Sequence, residues 1–218
     1  MLNFLKKEYF KIILINIFAI YLFSKMAEDV INLELITKID IWIYEHIPNI
    51  YTPFLNNIMI LTSSVNNTYQ LITLVIIVLI ILNYYKLYIQ MIFLSISIIG
   101  NSIIFLLIKE IIQRERPISQ LIEISGYSFP SGHATLSTTL AFSLYLILKD
   151  KVIYNKLLLI ICIIFPLLIS FSRVYLCVHY LSDIIAGIAL GLIWVSTIYL
   201  ILLYKKGIKN ETKIFNKE

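Results

Sequence analysis

The sequence is short of charge. Only 14% of its 218 residues are Asp, Glu, Lys or Arg, against about 25% in an ordinary soluble chain. It has two cysteines, with no C-x-x-C pair, which removes a disulfide scaffold, a dithiol redox motif and a thiolate zinc site. Six glycines and five prolines are too few for a collagen-like or low-complexity chain. What fills the sequence instead is apolar: 60% of residues are hydrophobic and the mean hydropathy is +0.89. Apolar runs near twenty residues recur, the length that crosses a bilayer. The expected fold class is all-α, a polytopic membrane protein.

The net charge of +5 does not point to nucleic acid. The basic residues gather in short clusters beside apolar runs: Lys6, Lys7 and Lys11; Lys86; Lys149, Lys151 and Lys156; Lys205, Lys206 and Lys209. That pattern reports topology by the positive-inside rule. No basic stripe interleaved with aromatics is left to hold RNA or DNA.

Six spans are expected, over roughly 9–23, 71–82, 88–108, 134–148, 157–171 and 184–204. Ser24-Lys25-Met26-Ala27 makes a poor signal-peptide cleavage site, so the first run reads as a retained helix. Residues 28–50 place Ile31, Leu35, Ile36, Ile39 and Ile43 at helical spacing between polar residues. This reads as one amphipathic helix along the interface, closed by Pro48 and Pro53. Residues 54–61 are too short to span alone and read as a half-inserted segment or the beginning of the next helix. Pro166 should kink the fifth span. The chain is expected to form one domain over 1–218, with a loose polar tail from about 207. Alternate threading puts both termini and the basic clusters inside. The segments 25–67, 109–131 and 173–183 then fall outside.

Those outer segments carry charge that topology does not explain. Lys109, Arg114, Glu115 and Arg116 end the third span, where Pro117 should stop the helix. Glu110, Glu115, Glu123 and Asp183 are too few to balance the cations, so an anion from outside would complete the site. Lys109 and Arg116 lie seven residues apart and would share a helical face. They are open to a second reading, as snorkelling anchors. In Phe129-Pro130-Ser131-Gly132-His133, Ser131 is a helix N-cap candidate and Gly132 lets an anion approach the backbone. Helix N-termini bind phosphate, and His133 projects from the first turn. An ordinary cap beside a bystander histidine remains the alternative. Finally, Arg173 is followed by His179 and Asp183; the last two are i and i+4, so the carboxylate can fix the imidazole tautomer. His46 reads as a solvated interface residue. Cys162 and Cys177 read as apolar filler. Asn66-Asn67-Thr68 matches a glycosylation sequon that a bacterial chain would not use.

Lys109-x6-Arg116-Pro117, Pro130-Ser131-Gly132-His133 and Ser172-Arg173-x5-His179-x3-Asp183 together resemble the three-part signature of the type 2 phosphatidic acid phosphatase (PAP2) superfamily. The signature covers 109–183. Cys177 stands where members often have Gly, and Leu181 where many have Pro. The resemblance implies a six-span helical bundle with its site at the outer face of the cell membrane. It implies that Lys109, Arg116, Arg173, Ser131 and Gly132 cradle a phosphoryl group. It further implies that His179, oriented by Asp183, attacks phosphorus and forms a phosphohistidine, while His133 protonates the leaving oxygen and then activates water. Three cations then do the work a metal does elsewhere, so neither metal nor other cofactor is expected. Undecaprenyl diphosphate is the first-choice substrate, with phosphatidylglycerophosphate and phosphatidic acid next. A phosphotransferase using the same phosphohistidine, or a non-catalytic transporter or scaffold, stands as the alternative.

Overall fold

The computed structural model describes the backbone of residues 2–215 and the side chains of 8–205. Lys6, Lys7, Lys206 and Lys209 therefore fall outside the described side chains. Among the described residues eight α-helices run in order: α1 Leu2–Asn32, α2 Leu35–His46, α3 Pro53–Ser64, α4 Thr68–Tyr84, α5 Tyr88–Ile112, α6 Gly132–Leu148, α7 Asn155–Tyr175 and α8 Leu181–Phe215. A 3-10 turn, Ile47–Ile50, separates α2 from α3. Among the described residues there is no strand.

Four helices are long and apolar enough to cross a membrane, and five if α3 and α4 count as one broken span bent by 50°. α6, with 17 residues, is about 25 Å long, a little under a hydrocarbon core of ~30 Å. α8 lies at the centre against α1, α5 and α6, while α6 packs on α5, α7 and α8. The buried face of α6 is mostly small and polar: Ala134, Thr135, Ser137, Thr138, Thr139, Ala141 and Ser143. Lipid tails are as apolar as leucine, so helices in a bilayer gain by close backbone approach rather than by burying large side chains. Gly187 and Gly191 make that approach on α8. A Cβ on Gly187 would lie 2.7 Å from the Ser131 carbonyl oxygen, and one on Gly191 2.8 Å from Thr138 Cβ. The large apolar residues point outward instead, Ile80 and Ile111 among them. Asn16 of α1 donates to Ser196 Oγ, Thr197 Oγ1 and the Ile193 carbonyl of α8. At the end of the bundle away from His133 and His179, Lys149 pairs with Glu8, which also accepts from Tyr199.

The structure corrects the sequence reading at three places. Residues 28–50 are not one helix: α1 continues to Asn32, Leu33 takes φ +56°, and Glu34 N–H bonds Asp29 O at 2.9 Å. This is the six-to-one closure of a Schellman cap, gathered around Lys25, which pairs with Glu28, Asp29 and Glu34. Residues 54–61, read as a half-inserted segment or the beginning of the next helix, form part of α3, which starts at Pro53 behind a Thr52 cap that accepts from Leu55 N–H and makes a bent pair with α4. α5 stops at Ile112, well before Pro117, because Gln113 turns left-handed (φ +51°) and bonds back to Lys109 O. Last, α8 stays helical to Phe215, through the stretch expected to be a loose tail; its Lys and Glu residues are good helix formers. α7 passes through Pro166 as one helix.

Candidate active site

Three chain segments converge above α6. The loop after α5 is held down by its own backbone: Ser128 N–H bonds Arg114 O at 2.8 Å, and Ser128 Oγ bonds Glu115 O at 3.0 Å. Lys109, at the last turn of α5, donates to the Tyr127 and Ser128 carbonyls. Arg116 is not on the helix with Lys109, since the left-handed cap intervenes. It reaches the site from the loop, where its Nη1 donates to Val178 O at 2.7 Å and lies 3.1 Å from His179 Nε2.

Ser131 caps α6 as expected: its Oγ accepts from Ala134 N–H and its carbonyl from Thr135 N–H. Its own N–H goes to Asp183 O at 3.0 Å, so the N-termini of α6 and α8 are tied by main chain. Gly132 sits at the first helical position, where a Cβ would lie 3.0 Å from the Phe105 ring. The peptide bond between Phe129 and Pro130 is cis. His133, half-buried, points Nε2 at Asn67 Oδ1, 3.1 Å away. Arg173, His179, Arg116 and Lys109 all lie within electrostatic reach of it.

Arg173 is 1% exposed. One Nη donates to Ser63 of α3, and its Nε has no hydrogen-bond partner among the described residues. A desolvated guanidinium with an idle N–H is suited to an oxyanion, which brings both charge and acceptors.

His179 is equally buried. Arginine can only donate, so the contact from Arg116 requires Nε2 of His179 to hold a lone pair. The proton then sits on Nδ1, facing Asp183 Oδ2 at 3.4 Å. Burial pushes the imidazole well below its usual value, and the positive charges of Arg116, Arg173 and Lys109 push it further. The ring is therefore neutral at physiological pH, with an unprotonated nitrogen turned toward Arg116. A small cleft opens beside it, walled by Asp40, Tyr44, Pro117 and Leu181 among others.

The structure brings Lys109, Arg116, Ser131, Gly132, His133, Arg173, His179 and Asp183 to one end of the bundle, but the charge balance is not the one anticipated. Glu110, Glu115 and Glu123 are exposed. Asp183 is taken up chiefly by Arg114, whose Nη1 lies 2.6 Å from Oδ1 and 2.7 Å from Ser182 Oγ. Arg114 also reaches Asp40 Oδ2 at 2.8 Å, and Asp40 accepts from Ser182 N–H at 2.9 Å. Asp40 lies on α2, more than seventy residues before Arg114, and nothing in the local pattern marks it; the other buried residue of that helix is Thr37. Among the described residues no group of three or more His, Cys, Asp or Glu is arranged to hold a metal.

Residues 70–206 match the family model of the PAP2 superfamily. The chain is similar to phosphatidylglycerophosphatase B of Bacillus subtilis, 34% identical over 116 residues, which cover 51% of this chain and 54% of that protein. It also resembles an undecaprenyl-diphosphatase of Sulfolobus acidocaldarius, 43% identical over 72 residues, 33% of this chain and 32% of that one. The match thus spans about half the length of these curated relatives, or less. Among solved structures, a transmembrane PAP2-type phosphatidylglycerolphosphate phosphatase from Bacillus subtilis superposes with a TM-score of 0.70 at 24% identity, covering 88% of this chain and 96% of that one. LpxE from Aquifex aeolicus superposes with a TM-score of 0.60 at 22% identity, covering 76% and 94%. These two likenesses describe a shared fold.

Proposed function

The chain belongs to the PAP2 superfamily, and on that footing we propose that it is a membrane-embedded phosphatase that hydrolyses a lipid phosphate or diphosphate through His179. One observation carries the reading: the unprotonated Nε2 of His179 lies 3.1 Å from the Arg116 guanidinium, in a site where Lys109 and Arg173 add two more cations. That arrangement suits a nucleophile beside an oxyanion.

A phosphoryl group entering the site would accept the N–H groups of Lys109, Arg116 and Arg173, together with Ser131 and the first-turn amides of α6. Arg116, freed from His179, would move its charge onto the equatorial oxygens. Nε2 attacks phosphorus in line with the leaving oxygen, which departs with a proton from His133. Asp183 keeps Nδ1 protonated and faces the positive charge that develops on the ring. Water, deprotonated by His133, then releases phosphate from the phosphohistidine. Because three cations neutralise the transition state, we expect no metal requirement and no cofactor.

We read the chain as one six-span membrane domain, with α6 as the short sixth span and α2 lying in the outer interface. Both termini face the cytoplasm and the site faces outward. Cysteines placed at Ser119 and Ser125, both exposed, should react with an impermeant maleimide in intact cells. Labelling only after lysis would put the site on the cytoplasmic side.

The site lies at the ends of the helices, at headgroup depth, so a lipid can present its phosphate sideways while its tail stays in hydrocarbon. Each buried CH₂ contributes about 0.8 kcal/mol. We name undecaprenyl diphosphate as the first-choice substrate, followed by phosphatidylglycerophosphate and phosphatidic acid. In detergent with excess EDTA, kcat/KM for a long-chain polyprenyl diphosphate should exceed that for a water-soluble phosphate ester by ~100-fold, about 2.7 kcal/mol. Equal efficiencies would remove the case for lateral lipid entry, and loss of activity to EDTA with recovery on Mg²⁺ would remove the metal-free mechanism. Phosphate that appears only when an acceptor alcohol is added would make the protein a transferase.

A further inference from the structure

Asn66-Asn67-Thr68 has no place in the three-part signature, yet the fold brings it against His133. It forms the elbow of the broken span, where α3 and α4 meet at 50°. Asn67 is the N-cap residue of α4, with an extended backbone, the position from which an asparagine usually turns its carbonyl back onto a first-turn N–H. It makes no such bond. Its Oδ1 lies instead 3.1 Å from His133 Nε2. Asn66, buried at 4% exposure, donates from Nδ2 to the His133 main-chain carbonyl at 3.0 Å. A Ser63 hydroxyl from the same elbow meets Arg173. The burial of Asn66 also disposes of the sequon, whose acceptor nitrogen is already engaged.

A carbonyl oxygen can only accept, so the contact places a proton on Nε2 of His133. The acid form of the ring needs such an acceptor, because an imidazolium carries N–H on both nitrogens. The other groups facing this ring are cations or a histidine: Arg173 from α7, Lys109 from α5, and Arg116 and His179 from the loops. Asn67 is a neutral acceptor among them.

We propose that Asn67 is a positioning residue for His133: its side-chain carbonyl holds the Nε2 proton, so that Nδ1 is the nitrogen that exchanges protons with the reacting oxygens, while Asn66 fixes the main chain on which the ring is mounted. The proposal rests on the phosphatase reading above. In the first half-reaction the Nδ1 proton passes to the leaving oxygen as the P–O bond breaks and the bond from His179 Nε2 to phosphorus forms. In the second, Nδ1 takes a proton from water as its oxygen bonds phosphorus and the P–N bond breaks. Nε2 keeps its proton throughout.

The test compares two esters in the full-length protein, an alkyl phosphate and p-nitrophenyl phosphate, whose leaving group needs little protonation. Asn67→Leu has no capping bond to lose. It should cut kcat/KM for the alkyl ester by ~100-fold and for the nitrophenyl ester by less than ~5-fold. Asn67→Asp keeps the acceptor and adds negative charge beside Nε2. It should restore most of the alkyl activity and move the basic limb of the kcat profile upward by about one pH unit. Equal losses on both esters for Asn67→Leu, or a profile for Asn67→Asp that superimposes on wild type, would overturn the assignment. Wild-type protein that releases phosphate from neither these esters nor the lipid panel would overturn the phosphatase reading instead.

Discussion

Replacing His179 with Ala should lower turnover by a factor on the order of 10⁵ and abolish the acid-labile, base-stable phosphoryl adduct, since the bond-forming atom itself is gone. His133→Ala should cost less, about 10²–10⁴, because it removes proton transfer and leaves the nucleophile. Labelled phosphate that still attaches to the His179→Ala protein would show that another atom attacks. The same residue governs the acid side of the pH profile. Burial, then Arg116, Arg173 and Lys109, hold the His179 ring well below its ordinary 6.5. The neutral, nucleophilic form therefore persists as pH falls through 6.5, and the acid limb of kcat/KM should lie well below that value. Arg116→Ala removes one of those positive charges, so the limb should move up toward 6.5 even as the maximum rate drops.

Arg114→Met should be the most damaging change to stability. The side chains of Asp40 and Asp183 are fully buried, and Arg114 bridges them at 2.8 Å and 2.6 Å. Removing it leaves two carboxylates in a dry setting with only neutral donors. Breaking one buried pair in this way costs about 3–5 kcal/mol, which for a chain of this size lowers Tm by roughly 10 °C. Adding Asp40→Asn to the same background removes one orphaned charge and should recover part of the loss. By contrast Glu28→Ala, which removes one exposed partner of Lys25, should hardly move the melting curve, as exposed pairs hold little net free energy. A melt of Arg114→Met within 2 °C of wild type would mean that the bridge does not hold α2 and α8 to the loop.

The parts of the site that were readable from sequence are those whose chemistry needs particular side chains at short, regular spacing. Ser131, Gly132 and His133 lie in one word at a helix start. His179 and Asp183 are one turn apart. What escaped depends on partners far along the chain. Arg114 and Arg116 differ by two positions, and nothing local says that one lies beside His179 while the other binds two buried acids. Asp40 meets Ser182 across 142 residues. The end of α5 was misplaced because glutamine carries no special tendency to turn left-handed, so Gln113 gives no warning, whereas Pro117 does. The same holds for Leu33 at the end of α1. The elbow at Asn66 and Asn67 was visible as a short apolar stretch before it, but its 50° bend and its reach to His133 arise only from packing. Cys177 is a case where the departure was seen and its cost was not: the residue sits at φ +52°, a conformation glycine adopts freely.

The glycines of α8 bear on how such a protein changes over time. At Gly187 and Gly191 there is no room for even one methyl group against α6, and the two helices are joined again where Ser131 meets Asp183 through main chain. The segments that carry His133 and His179 are thus joined through backbone. The outward faces, crowded with isoleucine and tyrosine, answer only to hydropathy. A genome drifting in base composition can exchange Ile for Leu, Val or Phe across those faces without moving either histidine. The lipid-facing surface is then free to follow whatever membrane its host makes, while the chemistry stays where the glycines put it.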